Sequence, residues 1–127
     1  FRSFSFNFAY SKLKESKTHL KFLIGIPGSG KSFLIDYFYQ NLEDKDKVVI
    51  LKGAISKEEL HKSLVTHTFI IIDEAQLLDI KMVEFIRTLS DSRTHSFLLS
   101  MHTNDAMEIL KMEHFKSRNI DVIDLKP

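Results

Sequence analysis

Short apolar runs alternate with amphipathic stretches along most of the chain. Residues 20–26 form the first apolar run, a predicted buried strand that leads into a glycine-rich segment. Residues 31–42 then carry Phe33, Leu34, Tyr37, Phe38 and Leu42 at helical spacing. A second strand is predicted at 47–52 (KVVILK). Ser56 and Glu59 have the spacing of a capping box, which opens a helix reaching about His67. A third strand follows at 68–73 (TFIIID), and 79–92 places Ile80, Val83, Ile86 and Leu89 on one helical face. Residues 96–101 (SFLLSM) predict a fourth strand, 105–112 a short helix and 121–125 a fifth strand. Strands that are apolar throughout, alternating with helices, point to an α/β fold with a parallel sheet.

The beginning of the chain breaks this pattern. Phe4, Phe6, Phe8 and Tyr10 alternate with Ser3, Ser5, Asn7 and Ala9, a period of two. That spacing predicts an edge strand or arm covering the domain with its aromatic face, or else a bare stripe that docks a partner. Residues 1–18 are therefore read as an aromatic N-terminal arm and 19–127 as the main domain.

Composition narrows the picture further. The chain has 127 residues, of which 43% are hydrophobic and 28% charged, enough for one domain with its own core. With 18 basic and 17 acidic residues the formal net charge is +1, so DNA is a possible partner that the charge does not indicate. Cysteine is absent, which excludes disulfides, thiolate metal sites and a thiol nucleophile. No apolar run approaches the roughly 20 residues of a membrane span. Starting at Phe1 rather than Met and stopping at Pro127, the chain reads as a fragment, and a further domain is an open expectation.

Candidate chemistry concentrates where glycine does. Of four glycines, Gly25, Gly28 and Gly30 fall within six residues. Gly25-Ile26-Pro27-Gly28-Ser29-Gly30-Lys31-Ser32 matches G-x-x-x-x-G-K-[ST] in full. Glycines let backbone N–H groups turn inward around phosphate oxygens, and the following helix N-terminus favours an anion. Lys31 supplies positive charge to the β- and γ-phosphates, and the Ser32 hydroxyl can ligate Mg²⁺. The third strand ends in Asp73-Glu74. In a sheet carrying such a loop, Asp73 is placed to hold the Mg²⁺ shell and Glu74 to orient or deprotonate the attacking water. His61, His67, His95, His102 and His114 have no ligand spacing and read as surface or strand-end residues.

GIPGSGKS followed by FIIIDEAQ resembles the Walker A and Walker B boxes of P-loop NTPases of the AAA+ and helicase-like branch. The run 72–78 is most similar to general-secretion ATPases of the ExeA type and to transposition ATPases. The resemblance implies a three-layer α/β/α fold, a five-stranded parallel sheet of order 5-1-4-3-2 and no C-terminal lid domain in this chain. It implies ATP and Mg²⁺ as ligands, with Gly25, Pro27, Gly28, Ser29, Gly30, Lys31, Ser32 and Phe33 on the nucleotide, Ser32 and Asp73 on the metal, and Lys31 and Glu74 in catalysis. Asn104 falls where the family keeps its sensor 1 residue, or else in an ordinary turn that caps the next helix. Arg118 falls where an arginine finger reaches a neighbouring subunit's nucleotide, or else is a surface residue. Gln76 either senses the γ-phosphate, as in helicases with a DEAQ box, or caps the next helix.

The function so implied is Mg²⁺-dependent ATP hydrolysis that remodels or assembles a partner complex, in secretion, pilus, DNA-uptake or transposition machinery. The setting is cytoplasmic, at most peripheral at the inner face of a membrane, with a homo-oligomer or partner complex expected. The alternatives are a nucleotide-gated binding module with little turnover and a helicase-like or phage-assembly ATPase fragment. Small-molecule kinases share the loop, but more often carry an acid where this chain has Lys52-Gly53-Ala54. Serine nucleophile elbows and paired acids for glycoside chemistry are absent.

Overall fold

The computed structural model describes residues 3–116 and 119–127. Five strands, β1 (Leu20–Gly25), β2 (Val48–Lys52), β3 (Phe69–Asp73), β4 (Ser96–His102) and β5 (Ile120–Asp124), pair in parallel in the order β2-β3-β4-β1-β5. Read from the other edge, this is the expected order 5-1-4-3-2. The helices are α1 (Phe4–Glu15), α2 (Lys31–Gln40), α3 (Lys57–Thr66), α4 (Ile80–Asp91) and α5 (Thr103–Leu110).

The strands form because their side chains are wanted on both faces of the sheet. On one face Phe22 and Ile24 of β1, Ile70 and Ile72 of β3 and Phe97 and Leu99 of β4 pack beneath Leu60 of α3, Val83 and Ile86 of α4 and Ala106 of α5. On the other, Leu23, Ile71, Leu98 and Ile123 meet Leu34, Ile35 and Phe38 of α2 and Phe6, Ala9 and Leu13 of α1. The result is three layers, helix on sheet on helix. Each fully buried aliphatic or phenyl side chain contributes about 1.5–3 kcal/mol of burial, which holds the central strands in place.

Local signals set the helix ends. The Ser56 hydroxyl accepts from the Glu59 N–H while the Glu59 carboxylate accepts from the Ser56 N–H, so the capping box is complete. Asp79 caps α4 through the Met82 N–H at 2.9 Å. A lysine also lies inside: Lys21 is 5% exposed, donates to the Thr18 carbonyl and sits over the Phe69 ring. Burial lowers its pKa against the opposing pull of Asp121.

The N-terminal segment differs from its expected strand form. It is a helix, capped by Ser3, whose side chain accepts from the Phe6 N–H at 3.0 Å. The inward set is Phe6, Ala9 and Leu13, spaced by three and four, with Tyr10 packed beside them. This helical spacing spans the whole segment, whereas the aromatic alternation stops at Tyr10, and burial against α2 and β5 selects the longer pattern. The phenyl groups are consequently divided. Phe6 is buried, while Phe4 and Phe8 stack on each other outside at 6.2 Å and remain 84% and 54% exposed. Among the described residues, no helix is long and apolar enough to cross a membrane.

The two faces of α1 predict opposite mutational costs. Leu13→Ala should lower the unfolding free energy by about 2–5 kcal/mol, the range for a truncated core leucine. Phe4→Ser should stay within about 0.5 kcal/mol of the parent, as surface changes do. Urea denaturation of both variants measures the difference.

Candidate active site

Glycine does two separate jobs in the loop between β1 and α2. At Gly25 it makes room: an added Cβ would lie 2.9 Å from the Leu125 carbonyl oxygen and 2.5 Å from Ser29 Oγ. At Gly30, the residue capping α2, it permits φ of +98°, which side chains disfavour. The loop therefore turns sharply off the end of β1 and delivers the free N–H groups of the first α2 turn to the carboxyl edge of the sheet.

Two side chains of that first turn point back toward the loop and sheet. The Lys31 ammonium donates to the carbonyls of Gly25 at 3.0 Å and Ile26 at 3.1 Å, closing over its own loop. Burial pushes its pKa below the ordinary lysine range, against the opposing attraction of the Asp73 carboxylate. The Ser32 hydroxyl donates to Asp73 Oδ2 at 2.7 Å. Asp73 ends β3 and is only 3% exposed. Its second oxygen accepts the Glu74 N–H at 3.0 Å, its carbonyl accepts the Gly53 N–H at 2.7 Å, and the Lys52 ammonium lies 3.5 Å from Oδ2. The Ser32–Asp73 pair joins the loop helix to a strand that lies beyond β4.

A cleft of about 430 Å³ opens between these groups. Pro27, Gly28, Gly30, Lys31, Ser32 and Phe33 form one wall, with Asp73, Glu74, Gln76 and His102 opposite. Glu74 holds the left-handed conformation at φ +55°, which costs a residue with a Cβ about 1–2 kcal/mol. Strain of this kind persists where the surroundings enforce it, and it concentrates at functional sites. The Gln76 side-chain oxygen is buried without a hydrogen-bond partner among the described residues.

The structure thus brings together Pro27, Gly28, Gly30, Lys31, Ser32, Phe33, Asp73 and Glu74, while Gly25 and Ser29 lie behind the cleft lining. Gln76 joins them, and it does not cap the following helix, which Asp79 does. Asn104 lies in the first turn of α5, exposed and outside the cleft lining. The strand-end residue at the cleft is instead His102, in register with Gly25 on the neighbouring strand. Arg118 lies outside the described residues. Two neighbours of the site have no site role in the sequence pattern: His102, read there as a surface or strand-end residue, and Lys52. Both end strands, and their only sequence signal is the strand order, which sets β4 beside β1 and Lys52 opposite Asp73.

The donor set suits a hard divalent cation. A serine hydroxyl and a carboxylate, both oxygen and one anionic, meet beneath a loop built for anions, the pairing by which Mg²⁺ is held beside phosphate. Among the described residues, no group of three or more His, Asp or Glu side chains forms a closed protein cage for a metal. Mg²⁺ commonly binds through one or two protein ligands and its remaining waters.

Solved structures share this architecture. The crystal structure of the Pif1 helicase from Candida albicans matches all of this chain over 40% of its own, at a TM-score of 0.68 and 15% identity. A structure describing DNA unwinding at forked dsDNA by two coordinating Pif1 helicases matches all of it over 44%, at a TM-score of 0.63 and 10% identity. The fold is that of a P-loop NTPase. The chain spans less than half the length of these helicases. Neither a protein-family pattern nor a curated protein matches its sequence.

Gly30→Ala tests the loop's backbone requirement. The left-handed φ should make this variant about 1–2 kcal/mol less stable in thermal or urea unfolding. An exposed position within a helix, such as Lys62→Ala in α3, should change little.

Proposed function

We propose that this chain is an ATP-hydrolysing P-loop domain whose turnover drives the remodelling or assembly of a partner complex. The observation that carries the reading is the Ser32–Asp73 hydrogen bond of 2.7 Å beneath the glycine loop, with Glu74 beside it at the cleft. A glycine-rich turn with an incidental Lys-Ser has no need of a buried carboxylate from a distant strand.

In this mechanism the loop N–H groups and the α2 N-terminus bind phosphate oxygens. Lys31 leaves the Gly25 and Ile26 carbonyls for the β- and γ-phosphates, exchanging neutral acceptors for anionic ones. Ser32 and Asp73 would hold Mg²⁺, which when bound shields phosphate charge. Glu74 orients a water toward the γ-phosphorus and takes its proton as the bond to the β,γ-bridging oxygen breaks, releasing ADP and phosphate. Gln76 lines the cleft beside Glu74, and its buried, unpartnered oxygen would reach that water only after the side chain rotates. Arg118 is the candidate finger, acting on a neighbouring subunit.

A helicase-like motor is the second reading. It is favoured by the likeness in fold to Pif1 helicases and by the DEAQ run whose Gln76 lines the cleft. It differs from the secretion, pilus, DNA-uptake and transposition readings in what stimulates turnover, since a helicase-like domain responds to single-stranded DNA and an assembly ATPase to its protein complex.

Phosphate release from Mg²⁺-ATP, measured across a protein concentration series, tests the reading. Glu74→Gln should lower turnover by at least about a hundredfold, the scale of a lost general base. Lys31→Ala should abolish nucleotide binding. Turnover per subunit should rise with concentration if Arg118 acts in trans, and an unchanging value would exclude that role. Turnover absent while ATP still binds would favour the nucleotide-gated binding module.

The lowered Lys31 pKa adds a pH dependence. Bound phosphate should raise that pKa toward and beyond its ordinary value, so binding takes up protons over the interval between the free and bound values. Affinity for pyrophosphate should accordingly fall as pH rises through the free lysine's pKa. Calorimetry in buffers of different ionisation enthalpy reads the uptake directly, and Lys31→Ala should remove it.

A further inference from the structure

Phe33 is out of place as a hydrophobic residue. It lies in the first turn of α2, lines the cleft and is 60% exposed, although it follows the phosphate-loop serine directly. It is also the one phenyl ring among the described residues of the cleft wall, the others being small, polar or charged except for Pro27 and the His102 imidazole. An exposed aromatic ring beside a phosphate-binding loop offers a flat apolar face on which another ring can stack.

The ring is held from behind. Phe33 packs on Phe6 of α1 with centroids 5.4 Å apart, Phe6 meets the edge of Tyr37 at 5.6 Å, and Tyr37 meets Tyr10 at 4.9 Å. Phe33 is thus the outermost member of a run of four rings that begins inside the α1–α2 contact. Support of this kind reduces the ordering cost when a ligand stacks on the outer ring.

A second link ties α1 to the same place. Ser5 Oγ donates to the Lys126 carbonyl at 2.8 Å and accepts the Lys126 N–H at 3.1 Å. The adjoining Leu125 N–H donates to the Ile24 carbonyl at 2.8 Å, at the root of the glycine loop. Through residues 125–126, α1 is joined to the strand end from which the loop springs.

We propose that Phe33, backed by Phe6, is the stacking platform for the nucleobase, which makes α1 a structural part of the nucleotide site. This rests on the reading that the loop binds the phosphates of a nucleotide. Stacking tolerates any base and gains most from the large purine surface. Coupling is reciprocal: if the docked α1 strengthens base binding, a bound base strengthens α1 docking by the same factor.

The test compares Mg²⁺-ATP with Mg²⁺-tripolyphosphate, which carries the phosphates without a nucleoside, by titration calorimetry on the whole chain. Wild-type protein should bind ATP more tightly. Phe33→Ala, an exposed substitution that leaves the core intact, should weaken ATP by about tenfold or more, the scale of one base stacked on an aromatic ring, and leave tripolyphosphate unchanged. Phe6→Leu, which preserves apolar burial, should weaken ATP in the same direction and spare tripolyphosphate. Amide exchange in residues 4–15 should slow with ATP and not with tripolyphosphate. The proposal is overturned if Phe33→Ala weakens both ligands equally, if it changes neither, or if wild-type protein binds tripolyphosphate as tightly as ATP. In each of those cases the phosphate-loop reading stands. Wild-type protein that binds neither ligand overturns both together.

Discussion

The contact between Ser32 and Asp73 imposes a severe geometric condition on the chain. The serine follows β1, the aspartate ends β3, and β4 lies between them. Neighbouring strands are about 4.8 Å apart, so α2 has to lean across a strand to close a hydrogen bond of 2.7 Å. That is feasible only if β1 and β3 finish at the same edge, which requires them to run parallel. Parallel pairing in turn requires each strand to return by a crossover, and the crossovers are the helices that cover both faces.

The same condition explains why most of the fold is legible in one dimension. A strand covered on both sides is apolar throughout, so FIIID and SFLLSM stand out without any alternation to interpret. The ends of α3 and α4 are written in Ser56, Glu59 and Asp79, because an N-terminal donor is most simply satisfied by a nearby side chain. Strand order has no such local record, and here it came from the resemblance carried by the two boxes. The first helix was obscured by its own aromatics. Four of them at alternate positions imitate a strand, and only the continuation through Ala9 to Leu13, together with a partner surface on α2, reveals which period counts.

At the candidate site, legibility follows sequence distance. The loop residues and the Asp73-Glu74 pair are each contiguous and bear their chemistry in their types. Lys52 and His102 become neighbours only through sheet register, so residue type alone gave no reason to choose them. Asn104 shows the converse: a suitable polar residue just past a strand, carried outward because α5 already begins at Thr103. Backbone strain at Glu74 is likewise invisible in the sequence, since a glutamate is among the last residues one would select for a left-handed position.

That strain sets chemistry and folding at odds at a single codon. Glutamate and glycine codons differ by one base, and glycine would adopt the Glu74 backbone without steric penalty. A glycine at this position would relax the backbone and remove the carboxylate, leaving a folded domain with its loop, its Ser32–Asp73 link and its cleft, but without the base proposed for turnover. If Glu74 is that base, a form that binds nucleotide without turning it over lies one mutation away.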